Sequence, residues 1–168
     1  MIMKQSSTVK TFLILTLSLL MLSSIAQISV ASELPVPRFV SLKSKESNFR
    51  IGPSVNYPIK WVYVRRGMPI EIISEFANWR KVRDIEGEVG WIHHSLLSGK
   101  RNAIVIGNDN QPLRAKAEST IVEAYLEPGL IVAIDECEAS LCKVKTEDYD
   151  GYVQKQALWG VYEDEIIN

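Results

Sequence analysis

The fold is decided by residues 79–97, which read Trp-Arg-Lys-Val-Arg-Asp-Ile-Glu-Gly-Glu-Val-Gly-Trp-Ile-His-His-Ser-Leu-Leu. Apolar residues flank a turn at residues 86–88, where the glycine tolerates a positive φ. The pattern predicts two antiparallel strands joined by a tight turn. Because side chains alternate along a strand, Trp79 and Val82 lie on opposite faces. If Val82 is in the core, the Trp79 indole lies outside it and is a candidate for ligand binding.

From Phe39 onward, turn-forming segments interrupt short apolar runs about every eight to twelve residues, as in small all-β units. The sequence predicts strands at residues 39–42, 59–64, 70–73, 79–82 and 89–92, with residues 48–58 as one of the connecting segments. Ser95-Leu96-Leu97 fits a single 3₁₀ turn. No segment carries a sustained helical period, so we expect an all-β fold.

The same pattern occurs twice in the chain. Phe49-Arg50 matches Leu113-Arg114, Tyr63-Val64 matches Tyr125-Leu126, Gly67 matches Gly129, Lys81-Val82 matches Lys143-Val144, Gly90-Trp91-Ile92 matches Gly151-Tyr152-Val153, and Leu97 matches Leu158. The offset drifts only from 64 to 61 residues, which indicates a duplicated unit. Units of about sixty residues are near the lower limit for independent folding, so the copies should pack together. We expect an extended lead-in at 32–38, a first domain at 39–103, a second domain at 104–162 and an acidic tail at 163–168.

Residues 1–31 are predicted to be a signal peptide. Basic residues precede an apolar run at residues 12–22, and small residues follow it. We expect cleavage after Ala31, with Ala26 as the alternative site. An uncleaved membrane anchor is the competing interpretation, because the apolar run extended to Val30 could nearly span a bilayer. With cleavage, the mature protein has no membrane span and is periplasmic or secreted, in an oxidising compartment.

Several motifs resemble those of the bacterial SH3 (SH3b) domain family. In chain order they are Asn48-Phe49-Arg50-Ile51-Gly52-Pro53-Ser54, Tyr57-Pro58-Ile59, Arg66-Gly67, Trp79-Arg80-Lys81-Val82 and Gly90-Trp91-Ile92. The second copy is similar more weakly, since residues 112–117 replace the Gly-Pro-Ser loop. The resemblance implies two tandem SH3-like small β-barrels that bind a ligand and have no catalysis of their own. The whole chain is similar to exported two-copy SH3b proteins of Gram-negative bacteria, whose family often binds cell-wall peptidoglycan or proteins that work on it.

The candidate ligand-binding residues are Trp79, Tyr57, Tyr63, Asn48 and Arg50. An aromatic face can stack on a sugar ring or pack against an extended peptide. The alternative for Trp79 is that residues 48–58 fold over the indole. Arg50 recurs as Arg114, so hydrogen bonding to loop carbonyls competes with ligand recognition as its role. Phe49 is expected in the core.

Two cysteines occupy matching sides of a predicted hairpin in the second copy. Cys137 and Cys142 correspond to Glu75 and Arg80 in the first copy. In an oxidising compartment the pair is expected to form a disulfide that contributes about 2 kcal/mol. Redox catalysis is the alternative, but no thioredoxin-like βαβ pattern surrounds the Cys-x4-Cys spacing. The same comparison predicts an exposed Glu75–Arg80 ion pair worth less than ~1 kcal/mol.

The sequence offers no catalytic or metal-binding motif. His93 and His94 should point to opposite faces of a strand, so they cannot easily chelate one ion. The tail carboxylates of residues 163–165 could bind a hard cation loosely, but such groups are usually solvated. Gly-x-Ser-x-Gly, His-Glu-x-x-His and phosphate-binding glycine loops do not occur. We therefore expect no enzyme activity, no cofactor and no metal.

Charge differs sharply between the two halves. Residues 38–101 carry twelve Lys or Arg against six Asp or Glu, a net charge of +6, whereas residues 102–168 carry five against thirteen, a net charge of −8. Either the copies attract each other or the first copy faces an anionic partner. The sequence predicts a non-catalytic exported protein that recognises peptidoglycan or its peptides. The alternative is a periplasmic adaptor that binds a protein or peptide through the SH3 groove. A nucleic-acid partner is not expected.

Overall fold

The computed structural model describes residues 34–168, and the predicted signal peptide lies outside this part. The first repeat contains β1 (Arg38–Leu42), β2 (Ser47–Arg50), β3 (Ile59–Tyr63), β4 (Pro69–Phe76), β5 (Trp79–Arg83), β6 (Val89–His93) and β7 (Leu97–Ser98). The second contains β8 (Asn102–Val105), β9 (Gln111–Arg114), β10 (Val122–Leu126), β11 (Ile131–Cys137), β12 (Leu141–Lys145), β13 (Asp150–Gln154) and β14 (Leu158–Trp159). Single 3₁₀ turns occupy His94–Leu96 and Lys155–Ala157. Within residues 34–168, no helix has the length and apolarity that crossing a membrane requires.

The two repeats have the same sheet topology. Their antiparallel sheets have seven strands each, in the orders β3-β2-β6-β5-β4-β1-β7 and β10-β9-β13-β12-β11-β8-β14. The expected all-β fold of two tandem SH3-like units is therefore confirmed. The sheets are not closed barrels, however, because β3 and β10 remain edge strands. The strands at the opposite edges, β7 and β14, have only two residues each and pair with β1 and β8.

Strand β2 overlaps the segment at residues 48–58 that the sequence suggested as a connection. Ser47–Arg50 pairs with β3 along its length and with β6 at Arg50 and Trp91. The strand forms because Phe49 is fully buried in the core, as expected for that residue, while its neighbours Asn48 and Arg50 remain half-buried. A four-residue strand next to a glycine-proline turn is too short for its alternation to be recognised in the sequence.

The strand register corrects one match between the repeats. Tyr63 pairs with Ser47, and Leu126 pairs with Gln111, so Tyr63 corresponds to Leu126 rather than to Tyr125. The connection before β10 is one residue shorter than the connection before β3, which shifts the alignment at this point. Because a shift of one residue moves a side chain to the other face, Tyr125 is 63% exposed.

Each repeat has its own hydrophobic core, and the two cores meet. The first core consists of Val40, Leu42, Phe49, Met68, Ile70, Ile72, Val82, Ile92 and Ile104. The second consists of Ala103, Val105, Leu113, Leu126, Val132, Ile134, Cys137, Cys142, Val144, Val153, Ala157 and Leu158. Ile104 belongs to β8 of the second sheet, yet it packs in the first core. The repeats therefore share buried apolar surface, which stabilises their association.

Aromatic and polar contacts extend the interface between the repeats. The Phe39 ring lies 5.1 Å from Trp159 and 4.8 Å from Tyr162, measured between ring centroids. Arg65 donates to the Gly129 carbonyl at 2.6 Å, and Asn102 donates to the Gly67 carbonyl at 2.7 Å. Both carbonyls belong to glycines with φ near +80°, which fixes the chain direction at these turns. As expected, the two copies pack together.

A buried carboxylate lies at the same interface. Glu71 is 5% exposed and accepts hydrogen bonds from Arg83 Nε at 2.8 Å and from the Tyr162 hydroxyl at 2.9 Å. Since Tyr162 belongs to the second repeat, this bond links the repeats through a carboxylate that is almost completely buried. Burial and the Glu71 carboxylate both raise the pKa of Tyr162, so its hydroxyl remains a donor at neutral pH.

One carboxylate of the acidic tail, that of Glu165, is bonded rather than solvated, whereas Glu163 and Asp164 are exposed. Glu165 accepts from Arg101 Nη2 at 3.0 Å and from the Tyr162 N–H at 3.1 Å, and Ile167 forms an antiparallel bridge with Cys137. Burial alone would raise the pKa of Glu165, but these hydrogen bonds outweigh it and hold the pKa below its usual value. Lys155, which is 4% exposed, donates to the Glu165 carbonyl at 2.8 Å. The tail is thus part of the folded second repeat.

The structure confirms both predicted cross-links at the β4–β5 and β11–β12 hairpins. Cys137 and Cys142 form a disulfide, and they are paired across the hairpin in the same register as Glu75 and Arg80. Arg80 Nε lies 3.0 Å from the Glu75 carboxylate, which Arg38 also contacts. The Glu75 and Arg80 side chains are only 21% and 20% exposed, so this ion pair is less accessible to solvent than expected.

Candidate functional site

Trp79 lies at the first position of β5, on the face opposite to the core. Val82 is fully buried in the core, whereas the Trp79 indole is half-buried and pairs with His93 of β6. The residues Phe76 and Trp79 close the β4–β5 hairpin, and Phe76 is 60% exposed. The alternation along β5 therefore leaves the indole half-buried and outside the core.

A cavity of about 120 Å³ adjoins the indole. It is lined by Asn48, Arg50, Val55, Trp79, His93 and Leu96. Three of the five predicted ligand residues, Asn48, Arg50 and Trp79, are thus brought together from β2 and β5. These two strands are separated in the sheet only by β6, which supplies His93. We call this cavity the indole groove.

Arg50 organises the loop on one side of the indole groove. One of its terminal nitrogens, Nη1, donates to the Tyr57 carbonyl at 2.7 Å and to the Val55 carbonyl at 3.1 Å. This confirms the predicted structural role of the arginine. A guanidinium has five N–H donors, so Arg50 can hold the loop and still donate to a bound group from its remaining nitrogens. Both interpretations of Arg50 are compatible with this geometry.

The Tyr57 ring packs against Gly52 within the same loop. A Cβ atom added to Gly52 would lie 2.5 Å from that ring, so only glycine permits the contact. Tyr57 is 47% exposed and does not line the indole groove. Packing against Gly52 positions the Tyr57 ring, and Arg50 binds the Tyr57 carbonyl.

Tyr63, which the sequence suggested as a ligand-binding residue together with Trp79, does not line the indole groove. Its hydroxyl donates to Asp84 at 2.6 Å, and its ring centroid lies 5.4 Å from that of Phe49. Tyr63 and Trp61 are two residues apart on β3, so both pack on the Phe49 side of the strand. Burial and the Asp84 carboxylate raise the pKa of Tyr63. The role of Tyr63 here is to bind a buried carboxylate.

His93 is a groove residue that the sequence analysis did not assign to the site. Its ring contacts Trp79 edge to face at a centroid distance of 5.3 Å, and its Nδ1 lies 2.8 Å from the Ser95 hydroxyl. The hairpin centred on residues 86–88 pairs Trp79 with His93, so counting outward from the turn would have identified it. Ser95 thus contacts the imidazole, which packs against the indole.

The two histidines do not point to opposite faces as expected. Their ring centroids are 4.7 Å apart, because β6 ends at His93 and His94 begins a 3₁₀ turn. Strand alternation therefore does not apply to this pair. In the part of the chain that the structure describes, no three His, Cys, Asp or Glu residues are placed to hold a metal ion.

The indole groove combines an aromatic face with hydrogen-bonding groups. The indole and Leu96 offer apolar surface, while Asn48 and Arg50 offer an amide and a guanidinium. This combination suits a sugar ring that bears an amide, or an extended peptide with a carboxylate. It cannot be reproduced in the second repeat, where the strand register places Leu141 and Gln154 at the positions of Trp79 and His93.

Comparison with known proteins identifies the repeated unit. The family model for the bacterial SH3 domain matches residues 43–99 and 108–160, which together exceed half of the chain. Among solved structures, NlpC2 from Trichomonas vaginalis is similar with 14% identity, a TM-score of 0.35 and coverage of 76% of this chain and 49% of that chain. NlpC1 from the same organism is similar with 15% identity, a TM-score of 0.34 and coverage of 76% and 47%. The chain thus spans about half the length of each. The comparison with curated proteins gave no match.

Proposed function

Because this chain belongs to the bacterial SH3 domain family, we propose that it is an exported, non-catalytic binding protein that recognises cell-wall peptidoglycan or its peptides. The observation that carries the proposal is the indole groove, in which Asn48, Arg50 and Trp79 meet at one cavity. Export rests on the predicted signal peptide at residues 1–31.

The chemistry of the groove supports a wall ligand. Aromatic faces stack on sugar rings, and Arg50 can donate to the carboxylates that wall peptides carry. The net charge of +6 on residues 38–101 would also attract an anionic polymer and raise the rate of encounter. Charge of this kind acts over about 8–10 Å at physiological ionic strength, so binding should weaken as salt is added.

A periplasmic adaptor for a protein or peptide is the second candidate function. The edge strand β3 favours it, because Ile59 and Val62 on this strand are 45% and 42% exposed. An extended peptide can add to such an edge through main-chain hydrogen bonds. The indole groove and the edge of β3 would then both bind the partner.

Sedimentation with isolated wall sacculi tests the proposal. The purified exported protein should be found with the pellet, and Trp79→Ala should weaken binding about thirtyfold, because loss of an aromatic anchor at a binding site costs roughly 2 kcal/mol or more. Val64→Ala is the control, since it removes an exposed apolar side chain of the same repeat that does not line the indole groove. A protein that stays wholly in the supernatant would favour the adaptor. Soluble muropeptides released into the supernatant would instead indicate an enzyme.

A further inference from the structure

A second cavity, unrelated to the indole groove, lies in the second repeat. Its volume is about 360 Å³, and it is bounded by the edge strand β10, the beginning of β11 and the turn at residues 146–149. Tyr125 and Tyr149, which are 63% and 51% exposed, form part of its wall. We call it the tyrosine groove.

The tyrosine groove exists because the second repeat lacks a bridge that is present in the first repeat. In the first repeat, the Tyr63 hydroxyl reaches from β3 to Asp84 at the corresponding turn, and Trp61 stacks on Phe49 at a centroid distance of 4.8 Å. The strand register places Ala124 and Leu126 at the positions of Trp61 and Tyr63. Neither side chain can span the distance to the turn, so the space stays open.

The charge on the edge strand beside this turn is also reversed between the repeats. In the first repeat, Lys60 at the bulge of β3 forms an ion pair with Glu88 of the turn. The same bulge position in β10 carries Glu123, and the turn contributes Glu147 and Asp148 to the groove lining. Basic side chains are absent from the lining, and residues 102–168 have a net charge of −8. The groove therefore presents aromatic rings and carboxylates to solvent.

We propose that the tyrosine groove binds an extended basic peptide segment of a partner protein, which pairs with the free edge of β10. Strand β10 is at the end of its sheet, so an added strand can form main-chain hydrogen bonds along it. Side chains alternate along such a peptide, and every second one faces the groove. A Lys or Arg at these positions can stack on Tyr125 or Tyr149 and reach Glu147 or Asp148.

The proposal predicts which backbone amides respond to a basic peptide. The probe is an acetylated and amidated pentapeptide of alternating lysine and valine, titrated into the ¹⁵N-labelled protein, and the control peptide has glutamate in place of lysine. We expect amide shifts at Val122–Leu126 and at residues 146–149 with the lysine peptide alone. Shifts centred on Trp79, or equal shifts with both peptides, would overturn the proposal.

Two double variants separate charge from shape. Glu147→Lys with Asp148→Lys should weaken binding at least about tenfold, whereas Asp109→Lys, an exposed acid of the same repeat outside the groove, should change it less than about threefold. Leu126→Tyr with Thr146→Asp restores the first-repeat bridge. This variant adds negative charge but fills the groove, so it should abolish binding if shape is required. Retained binding in either double variant would contradict the proposal.

The basic first repeat of another molecule is the competing occupant. Sedimentation velocity of the protein alone over a hundredfold concentration range distinguishes it. We expect a monomer at all concentrations, with the peptide shifts unchanged. Self-association that the Glu147→Lys and Asp148→Lys variant removes would assign the groove to a second copy of the chain and overturn the peptide proposal. Neither result depends on binding to sacculi.

Discussion

Removal of the Tyr162 hydroxyl should weaken the contact between the repeats by a predictable amount. In Tyr162→Phe the ring can keep its contact with Phe39, but Glu71 loses the donor at 2.9 Å. A hydrogen bond to a charged group contributes about 1.5–3 kcal/mol to stability. The lower value applies here, because Arg83 still donates to the other carboxylate oxygen at 2.8 Å and Tyr162 is only partly buried.

We therefore expect the free energy of unfolding to fall by about 1.5 kcal/mol and the Tm to fall by roughly 5 °C. Urea unfolding followed by circular dichroism and by tryptophan fluorescence measures the change. Tyr125→Phe is the matched control and should lie within about 0.5 kcal/mol of the natural protein, since its ring is 63% exposed. If Tyr162→Phe behaves like this control, the hydroxyl does not stabilise the interface and the reasoning is wrong.

Two further predictions concern bonds within a single repeat. Burial and the bond to Asp84 raise the pKa of Tyr63, so the stability that this group contributes is complete below its unfolded pKa of about 10 and is lost as the pH rises towards the folded value. Above pH ~10 the free energy of unfolding should fall by about 1.4 kcal/mol per pH unit more steeply in the natural protein than in Tyr63→Phe, and parallel slopes would refute this. Reduction of the Cys137–Cys142 disulfide, which closes a short loop, should lower the free energy of unfolding by about 2 kcal/mol. The Cys137→Ala, Cys142→Ala variant should be insensitive to reductant, and an equal stability of the natural protein with and without reductant would contradict the estimate.

Local patterns in the sequence were sufficient to predict the features that depend on the pairing of neighbouring strands. The hairpin from Trp79 to His93 follows from apolar residues on both sides of one turn. The disulfide and the Glu75–Arg80 ion pair follow from the alignment of the repeats, since equal hairpins place equal positions opposite each other. These features involve residues that are neighbours across a single ladder, so their positions are set by register alone.

Features that depend on more distant contacts were missed or misplaced. The Glu165 carboxylate accepts a hydrogen bond from Arg101, which lies 64 residues earlier in the chain. The composition of the tail does not indicate such a partner. Residues 63 and 125 are both tyrosines, so the sequence suggested that they occupy matching positions. The shorter loop before β10 shifts this strand by one residue, and Tyr63 matches Leu126 instead. The tyrosine groove arises because the side chains on β10 are smaller than those at the matching positions of β3, which only a comparison of the two folded repeats reveals.

The packing of Ile104 into the first core has a consequence for avidity. Tandem modules on a flexible tether sample many separations, so their combined affinity depends on linker length. Here the two repeats are joined through buried side chains and the Phe39–Trp159 contact, so the separation between the indole groove and the tyrosine groove is set by the fold. A target that carries both ligands gains from simultaneous binding only if their spacing matches this separation. The protein would then discriminate between targets by distance as well as by chemistry.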